Sequence, residues 1–328
     1  MEQYKILVDS KGADGGDAVM IRGAIYALRE FDELSVIITG DEKEIKKICD
    51  ENNAPMNRIE IVNTSSEVTN LDNPAEVLFT KTDSSMLRGL ELLGTRSDVC
   101  GMISSGNTGV LLTGAMRYVS AKERVRPALA AILPASDGSF VCLVDTGATI
   151  DCTPNMLCHF AHLGSEFMRA AYGIESPRVG LLSNGAEETK GNKLVKETHL
   201  LLKDDHSLNF VGNVEGHVAL SGVCDVLVCD GFAGNQVLKV TEGTAMRIIT
   251  DILKYAHREK SAEIKKLASH LMAVYDISSL GGGVILGTAK PVIKTRGSSN
   301  ESSVVNTSGM LINLARGESV FDKNKNKI

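Results

Sequence analysis

The chain of 328 residues carries 35 Lys and Arg against 41 Asp and Glu, a formal charge of −6, with 43% hydrophobic and 23% charged residues. Such a chain can bury a large core, and its acidic balance excludes nucleic acid as the main partner, because affinity for a phosphate backbone needs concentrated Lys and Arg. No apolar run reaches the roughly 18 residues of a spanning helix, and seven cysteines without a C-x-x-C pair read as mostly buried thiols.

The start, MEQYKILVDS, enters an apolar run with no basic leader or cleavage site, so a cytoplasmic protein is expected. Short β-branched runs then alternate with helix-patterned stretches, the signature of a parallel sheet covered on both faces. Strands are expected at 5–9, 35–40, 101–106, 140–145, 178–183, 209–212 and 225–230, and helices at about 17–30, 41–52, 84–94, 108–120, 155–173, 190–204 and 235–275. The strands end in Asp, Gly, Asn or Ser, as at the ligand crevice of an open α/β sheet. No repeat or low-complexity linker interrupts the pattern, so one α/β unit over 1–328 is expected. Within it the stretch at about 241–280 is helical, and its charged, amphipathic middle YAHREKSAEIKKLASHLM reads as a dimer or lobe-packing element more than a membrane face. The last residues, FDKNKNKI, read as a solvated tail.

Four loops at expected strand ends carry the chemistry. Ser104-Ser105-Gly106-Asn107-Thr108-Gly109 opens a helix, where unpaired N–H groups and the positive dipole end favour an anion; the alternative is a tight βα turn. It lacks the Gly-Lys-Ser/Thr ending of a nucleotide-binding P-loop. The loop 183–192 offers Asn184 and Asn192 as amide donors and Lys190 to neutralise a phosphate or a developing oxyanion, unless Glu187 and Glu188 are merely first-turn residues and Lys190 is solvated. Gly212-Asn213 and Asp230-Gly231-Phe232-Ala233-Gly234-Asn235 repeat the Gly-Asn pairing seen at 106–107 and 191–192, which suggests a crevice lined with uncharged donors. Lys294-Thr295-Arg296-Gly297-Ser298-Ser299-Asn300 adds two cations ahead of a helix, as an anion clamp or a capped helix start. No H-E-x-x-H, G-x-S-x-G or paired Cys/His spacing is present, so neither a metal hydrolase nor a nucleophile elbow is supported. Lone His159, His162 and His217 read as packed or surface residues.

Taken together, VDSKGADGG, KTDSSM at 81–86, SSGNTG, RPALAAILP at 126–134, LVDTGATIDCTP at 143–154, PRVGLLSNGAEETKGN at 177–192, NFVGNVEG, DVLVCDGFAGNQVLK at 225–239 and KTRGSSN resemble the phosphate acyltransferase family called PlsX over nearly the whole chain. The resemblance implies a three-layer α/β/α fold with a mostly parallel sheet, like isocitrate and isopropylmalate dehydrogenases, and a homodimer. It also implies transfer of an acyl group from acyl-acyl-carrier-protein to inorganic phosphate, giving acyl phosphate for phospholipid synthesis. Phosphate would be the nucleophile and a thiolate the leaving group, which leaves the protein to position, neutralise charge and supply an oxyanion hole. On that reading Lys190, Asn107, Asn213 and Asn235 hold phosphate and the thioester oxygen. Lys81, Asp83, Ser84 and Ser85 frame the anion beside Ser105, Gly106, Thr108 and Gly109, while Arg296 and Ser298 add to the clamp. Asp145, Asp230 and Gly234 order the loops, and Arg178, Lys193 and Lys196 form a basic rim for the acidic carrier; no metal or cofactor is called for.

The chain departs from the family pattern at Lys11 and Ala13 in the first loop, at Arg296 where the family has His, and at Leu280-Gly281-Gly282-Gly283-Val284. The family's apolar hairpin, linked to membrane association, is here replaced by a segment bearing His257, Arg258, Glu259, Lys260, Glu263, Lys265 and Lys266, so only weak membrane contact is expected. Three alternatives remain: a short-chain, acetyl-phosphate-forming relative with Cys152 of interest, a pyridine-nucleotide dehydrogenase, which would need an aspartate metal cluster, and a non-catalytic relative.

Overall fold

The computed structural model describes residues 3–121, 126–275 and 282–317. In chain order these form β1 (Tyr4–Asp9), α1 (Asp17–Glu30), β2 (Leu34–Gly40), α2 (Glu42–Glu51), β3 (Ile59–Asn63), α3 (Pro74–Thr80), α4 (Ser85–Thr95), β4 (Gly101–Ser104) and α5 (Thr108–Tyr118). There follow β5 (Ala128–Pro134), β6 (Phe140–Val144), α6 (Pro154–Tyr172), β7 (Arg178–Ser183), α7 (Lys193–Asp204), β8 (Asn209–Glu215), β9 (Val226–Val228), α8 (Gly231–Arg258) and α9 (Ala262–Tyr275), then β10 (Gly283–Leu286), β11 (Val292–Lys294) and α10 (Glu301–Arg316). The chain divides into two compact units. The first holds the residues up to Leu129, Arg169–Ile174 and the segment β10–β11–α10; the second holds Ala130–Met168 and Glu175 onward through α9.

In the first unit the strand order is β3-β2-β1-β4-β11-β10, parallel throughout except for the antiparallel β10–β11 pair. Neighbouring residues of β4 show that both faces are covered. A Cβ at Gly101 would lie 2.5 Å from Leu311 of α10, whereas the Met102 side chain meets Gly89 of α4. Successive residues of a strand point to opposite faces, so α10 and α4 lie on opposite sides. This two-sided burial is why β1 reads as an almost unbroken apolar run. The chain runs outward from β1 through β2 to β3 and then returns to β4 on the other side of β1. The order therefore reverses between β1 and β4, and at such a switch point the two carboxyl-end loops diverge to leave a crevice.

In the second unit the order is β5-β6-β9-β7-β8, with β5 antiparallel to β6 and the rest parallel. The same alternation applies. Val144 and Val226 pack on Gly164 of α6, while Leu143 and Leu227 join a cluster with Ala233, Val237 and Leu238 of α8. The α/β class with mostly parallel strands thus stands as expected.

Four strands and one helix were not legible in advance. β3 is a half-exposed edge strand, β5 is rich in Ala, a poor strand former, β10 and β11 are four and three residues long, and α3 is a seven-residue helix. The single helix expected over 235–275 is corrected to a hairpin. α8 ends at Arg258, Lys260 takes a left-handed backbone (φ 51°), and the Ser261 hydroxyl accepts from the Ile264 N–H to start α9, which packs back on α8. Helix starts were misplaced by caps: Asn192 begins α7 at Lys193, and Asp230 begins α8 at Gly231. Residues 276–281, including Leu280 and Gly281, and the tail FDKNKNKI lie outside the described residues.

Candidate active site

The loops at the first unit's switch point are laced together by close backbone approach. Gly12 has φ +93°, and a Cβ there would sit 2.4 Å from the Cα of Gly106, so the loop after β1 and the loop after β4 touch through glycine. The third loop, after β11, joins them: the Asp14 N–H donates to the Gly297 carbonyl (2.7 Å) and the Thr295 N–H to Ser104 (2.9 Å). Beneath them Asp9 is fully buried at the end of β1. One of its oxygens accepts from the Ser85 hydroxyl (2.6 Å) and the Lys11 N–H (3.2 Å), and the other from the Ser104 hydroxyl (2.7 Å). Burial raises its pKa above the ordinary carboxylate value, against the lowering effect of those bonds.

The loop expected to favour an anion, 104–109, leads into the start of α5. Asn107 Oδ1 caps the helix by accepting from the Val110 N–H (3.2 Å), and the first-turn amides of Thr108 and Gly109 have no intrahelical acceptor. Cations border the loop. The Lys294 ammonium donates to the Ser105 carbonyl (3.0 Å) and to that of Thr295, and burial lowers the Arg296 pKa from its usual value. Ser298 stands exposed in the adjoining turn, and the Ser105 hydroxyl reaches the Lys11 carbonyl (3.4 Å).

Several expected anion ligands prove to be spoken for. The Lys81 ammonium pairs with Asp72 (2.7 Å) and the Glu67 carbonyl (3.0 Å). Asp83 accepts from the Ser65 N–H and hydroxyl (2.9 and 2.6 Å), which makes it a loop brace. The Asn107 amide donates to the carbonyls of Thr69 and Asp72, which leaves its backbone neighbours and not its side chain free for a ligand. Lys11, one of the departures in the first loop, is caged by Asp17, Glu44 (3.6 Å) and Glu67 (3.9 Å). Burial opposes its charge, but those carboxylates prevail and raise its pKa. Ser84 keeps a buried hydroxyl with no partner among the described residues.

In the second unit the carboxyl ends of β6, β7 and β9 gather three loops. Asp145, fully buried, accepts from the N–H groups of Gly147 (3.3 Å), Ala148 (3.1 Å) and Thr149 (2.7 Å). Asp230 caps α8 through the Ala233 N–H (2.7 Å), and a Cβ at Gly234 would fall 1.9 Å from the Asp145 carbonyl oxygen. Both carboxylates are therefore loop-ordering groups.

The expectation of free amide donors at Asn213 and Asn235 is corrected. Asn213 lies inside β8, bonded to His199 Nδ1 (2.9 Å) and the Glu187 carbonyl (2.9 Å), and Asn235, in the first turns of α8, donates to Thr146 (3.1 Å). The loop 183–192 closes on itself, with Asn184 Oδ1 accepting from the Gly191 N–H (2.9 Å) and Asn192 capping α7. Lys190 stands exposed in this loop with no ion pair among the described residues, the state a cation needs to meet an incoming anion. Of the basic rim, Arg178 is committed to a bidentate pair with Asp225 (2.8 and 3.0 Å), and Lys193 sits 3.8 Å from Glu197.

Below the loop lies a cavity of about 430 Å³ whose walls include Leu157, Leu181, Leu182, Leu194, Val195 and Ala233. Cys229 is part of its buried wall, its thiol pushed well above the ordinary value by burial and by Asp230 and Asp145 nearby. Cys152 donates its thiol to the Thr149 carbonyl (3.4 Å). Among the described residues no three His, Cys, Asp or Glu are placed to hold a metal. His162 pairs with Asp205 (2.8 Å) and His217 is exposed, as the sequence suggested. The cation Lys294 was expected in the late segment, whereas Asp9, Ser183 and His199 were given no role from the sequence. A strand-terminal Asp was the available signal for Asp9, Ser183 stood at the head of the loop 183–192, and nothing marked His199.

A family model described as "Fatty acid synthesis protein" matches residues 4–317. The phosphate acyltransferase of Streptococcus pneumoniae is 38% identical over 310 residues, 92% of each chain, and that of Clostridium novyi is 36% identical over 330 residues, 99% of this chain and 98% of that one. The chain belongs to the phosphate acyltransferase family. A phosphate acyltransferase transfers an acyl group with phosphate as acceptor. The fold extends further: a solved phosphotransacetylase from Streptococcus pyogenes superposes with TM-score 0.64 at 17% identity, covering 96% of this chain and 94% of that one.

Proposed function

We propose that this phosphate acyltransferase takes the acyl group from acyl-acyl-carrier-protein and delivers acyl phosphate to phospholipid synthesis in the cytoplasm. A phosphate oxygen attacks the thioester carbonyl carbon, the C–S bond breaks, and the carrier leaves as its thiolate. The observation that carries the reading is the switch point of the first unit, where a helix N-terminus with open amides is bordered by Lys294 and Arg296, an arrangement suited to a small anion. Phosphate binds at Ser105–Gly109 with Arg296 and Ser298, and Ser84 turns its unpartnered hydroxyl to the same anion. Lys190 neutralises the oxyanion. Asn107, Asn184, Asn192, Asn213 and Asn235 act by holding backbone, as do Asp83, Asp145 and Asp230; Ser85 acts through the Asp9 carboxylate, Gly234 by letting the Asp145 carbonyl approach, and Lys81 through Asp72. The whole chain of 328 residues works as one catalytic unit.

Two further features belong to this reading. The α8–α9 hairpin leaves Val240, Ile248 and Leu267 exposed, which suits a homodimer, and a stable monomer in sedimentation would overturn that. No helix of the described residues is long and apolar enough to cross a membrane, and the hairpin's charges leave weak peripheral contact, so recovery in flotation should be unchanged by lipid vesicles. The test of function is direct. Purified protein with long-chain acyl-carrier-protein should release carrier thiol only when phosphate is present, with acyl phosphate trapped by hydroxylamine. Turnover of acetyl donors alone would assign a short-chain enzyme, and turnover of none a binding protein.

A further inference from the structure

The cavity of the second unit differs in chemistry from the loops of the first. Its walls are aliphatic side chains of α6, β7, α7 and α8, and its polar lining residues are Ser183, Asn184, Asn192 and Asp230, with no lysine or arginine among them. A phosphate dianion placed there would meet a negative charge and no cation, at a cost that rises as water is excluded. An uncharged apolar ligand meets the opposite conditions, since each methylene leaving water contributes about 0.8 kcal/mol. The volume, about 430 Å³, lies within the range of small-molecule sites.

One polar atom in the wall is unused. Ser183, the last residue of β7, keeps a buried hydroxyl without a partner among the described residues. A buried hydroxyl left unbonded costs about 1–3 kcal/mol, so a ligand that brings a carbonyl acceptor to it recovers a bond that the free protein forgoes. Lys190 stands one residue along the chain from Gly191 of the same wall.

We infer that this cavity is the acyl-chain site: the fatty chain of the donor lies among Leu157, Leu181, Leu194 and Ala233, and its carbonyl oxygen accepts a hydrogen bond from Ser183. The inference rests on the acyl-thioester reading above and adds where the chain goes and what limits its length. Specificity then follows from volume. kcat/KM should rise about four-fold per added methylene until the cavity is full and then level off.

Leu194, partly buried on the first turn of α7, allows the volume to be changed in both directions. Leu194→Trp should move the plateau to shorter donors and lower the ratio of long-chain to short-chain kcat/KM about ten-fold or more. Leu194→Ala should move the plateau to longer donors. A binding arm separates this proposal from the reading beneath it: N-methyldodecanamide, neutral and unreactive, is titrated calorimetrically into both variants and the parent, with about ten-fold weaker binding expected for Leu194→Trp. A Ser183→Ala protein should bind the amide about five- to ten-fold more weakly, with the same dependence on chain length. A plateau that neither Leu194 variant moves, or amide binding that all three substitutions leave unaltered, overturns the acyl site. If no thioester is turned over by the parent protein, the functional reading falls while the amide titration still decides the cavity.

Discussion

The loops after β1 and β4 and the loops after β6, β7 and β9 are built alike, with glycine at the closest approaches, a buried aspartate beneath, and a capped helix leading away. They differ in what surrounds them. The first set holds its helix-terminal amides beside Lys294 and Arg296; the second borders an aliphatic cavity whose wall includes Ser183, with a buried hydroxyl unpartnered among the described residues. One architecture thus offers a place for charge in one unit and a place for hydrocarbon in the other. On the proposed reading, the ligands are met by what lies beside each loop set and not by the asparagines that the loops use for their own folding.

The sharpest way to break that distinction is Lys190, the exposed cation of the second unit. Replacement by Ala should lower kcat by roughly 10²–10³-fold, the usual effect of losing one group that stabilises a developing oxyanion, with the melting temperature unchanged because the side chain makes no ion pair among the described residues. A fall in melting temperature instead would make it a structural residue. Next come the glycines. Gly12→Ala places a methyl against Gly106 in an unfavourable backbone region, and Gly234→Ala drives one into the Asp145 carbonyl. Each should cost about 1–3 kcal/mol in denaturant unfolding, and a neutral result at either would show that the two loop sets are not equally close-packed.

A third substitution tests the support of the Lys190 loop. His199→Leu leaves Asn213 Oδ1 without its buried partner, costing about 1–3 kcal/mol, and should lower kcat more than it raises the donor KM, because the Glu187 carbonyl is held by the same Asn213. Equal loss in all variants that merely destabilise the protein would contradict that link. The smallest effect expected is in pH dependence. Asp9 has a folded pKa above its model-compound value of 3.8, so the folded state holds the proton more tightly than the unfolded chain, and stability is lost as pH rises from 3.8 through the folded value. Asp9→Asn should remove that slope in melting temperature against pH, and a parallel slope in the variant would refute the assignment.

Much of the fold was readable because β1, β2, β7 and the longer helices announce themselves by unbroken apolar runs or helical periodicity. The short strands β10 and β11 were not, since three or four residues owe their pairing to neighbours distant in sequence. At the proposed site the loops and their order along the chain were readable, and the bonding of the individual side chains was not. The recurrent Gly-Asn pairs pointed to ligand donors, but Asn107 and Asn192 cap helices, and Asn213 and Asn235 hold backbone. An asparagine's amide can serve a ligand or its own fold with equal chemistry, and the sequence does not say which. Asp9 and Ser183 were passed over for the converse reason: burial gives them their meaning, and burial is set by residues elsewhere in the chain.

The division between a charged site and a hydrocarbon site is tested most directly by one kinetic matrix, in which phosphate concentration and donor chain length are varied for the parent enzyme, Arg296→Gln and Leu194→Trp. Loss of a charge-assisted hydrogen bond should raise the phosphate KM of Arg296→Gln roughly ten-fold or more while its chain-length profile keeps the parent's slope and plateau. Leu194→Trp should shift the plateau and keep the parent's phosphate KM. If Arg296→Gln alters chain-length preference, or Leu194→Trp alters the phosphate KM to the same degree as its chain-length profile, the two sites are not distinct in the way described.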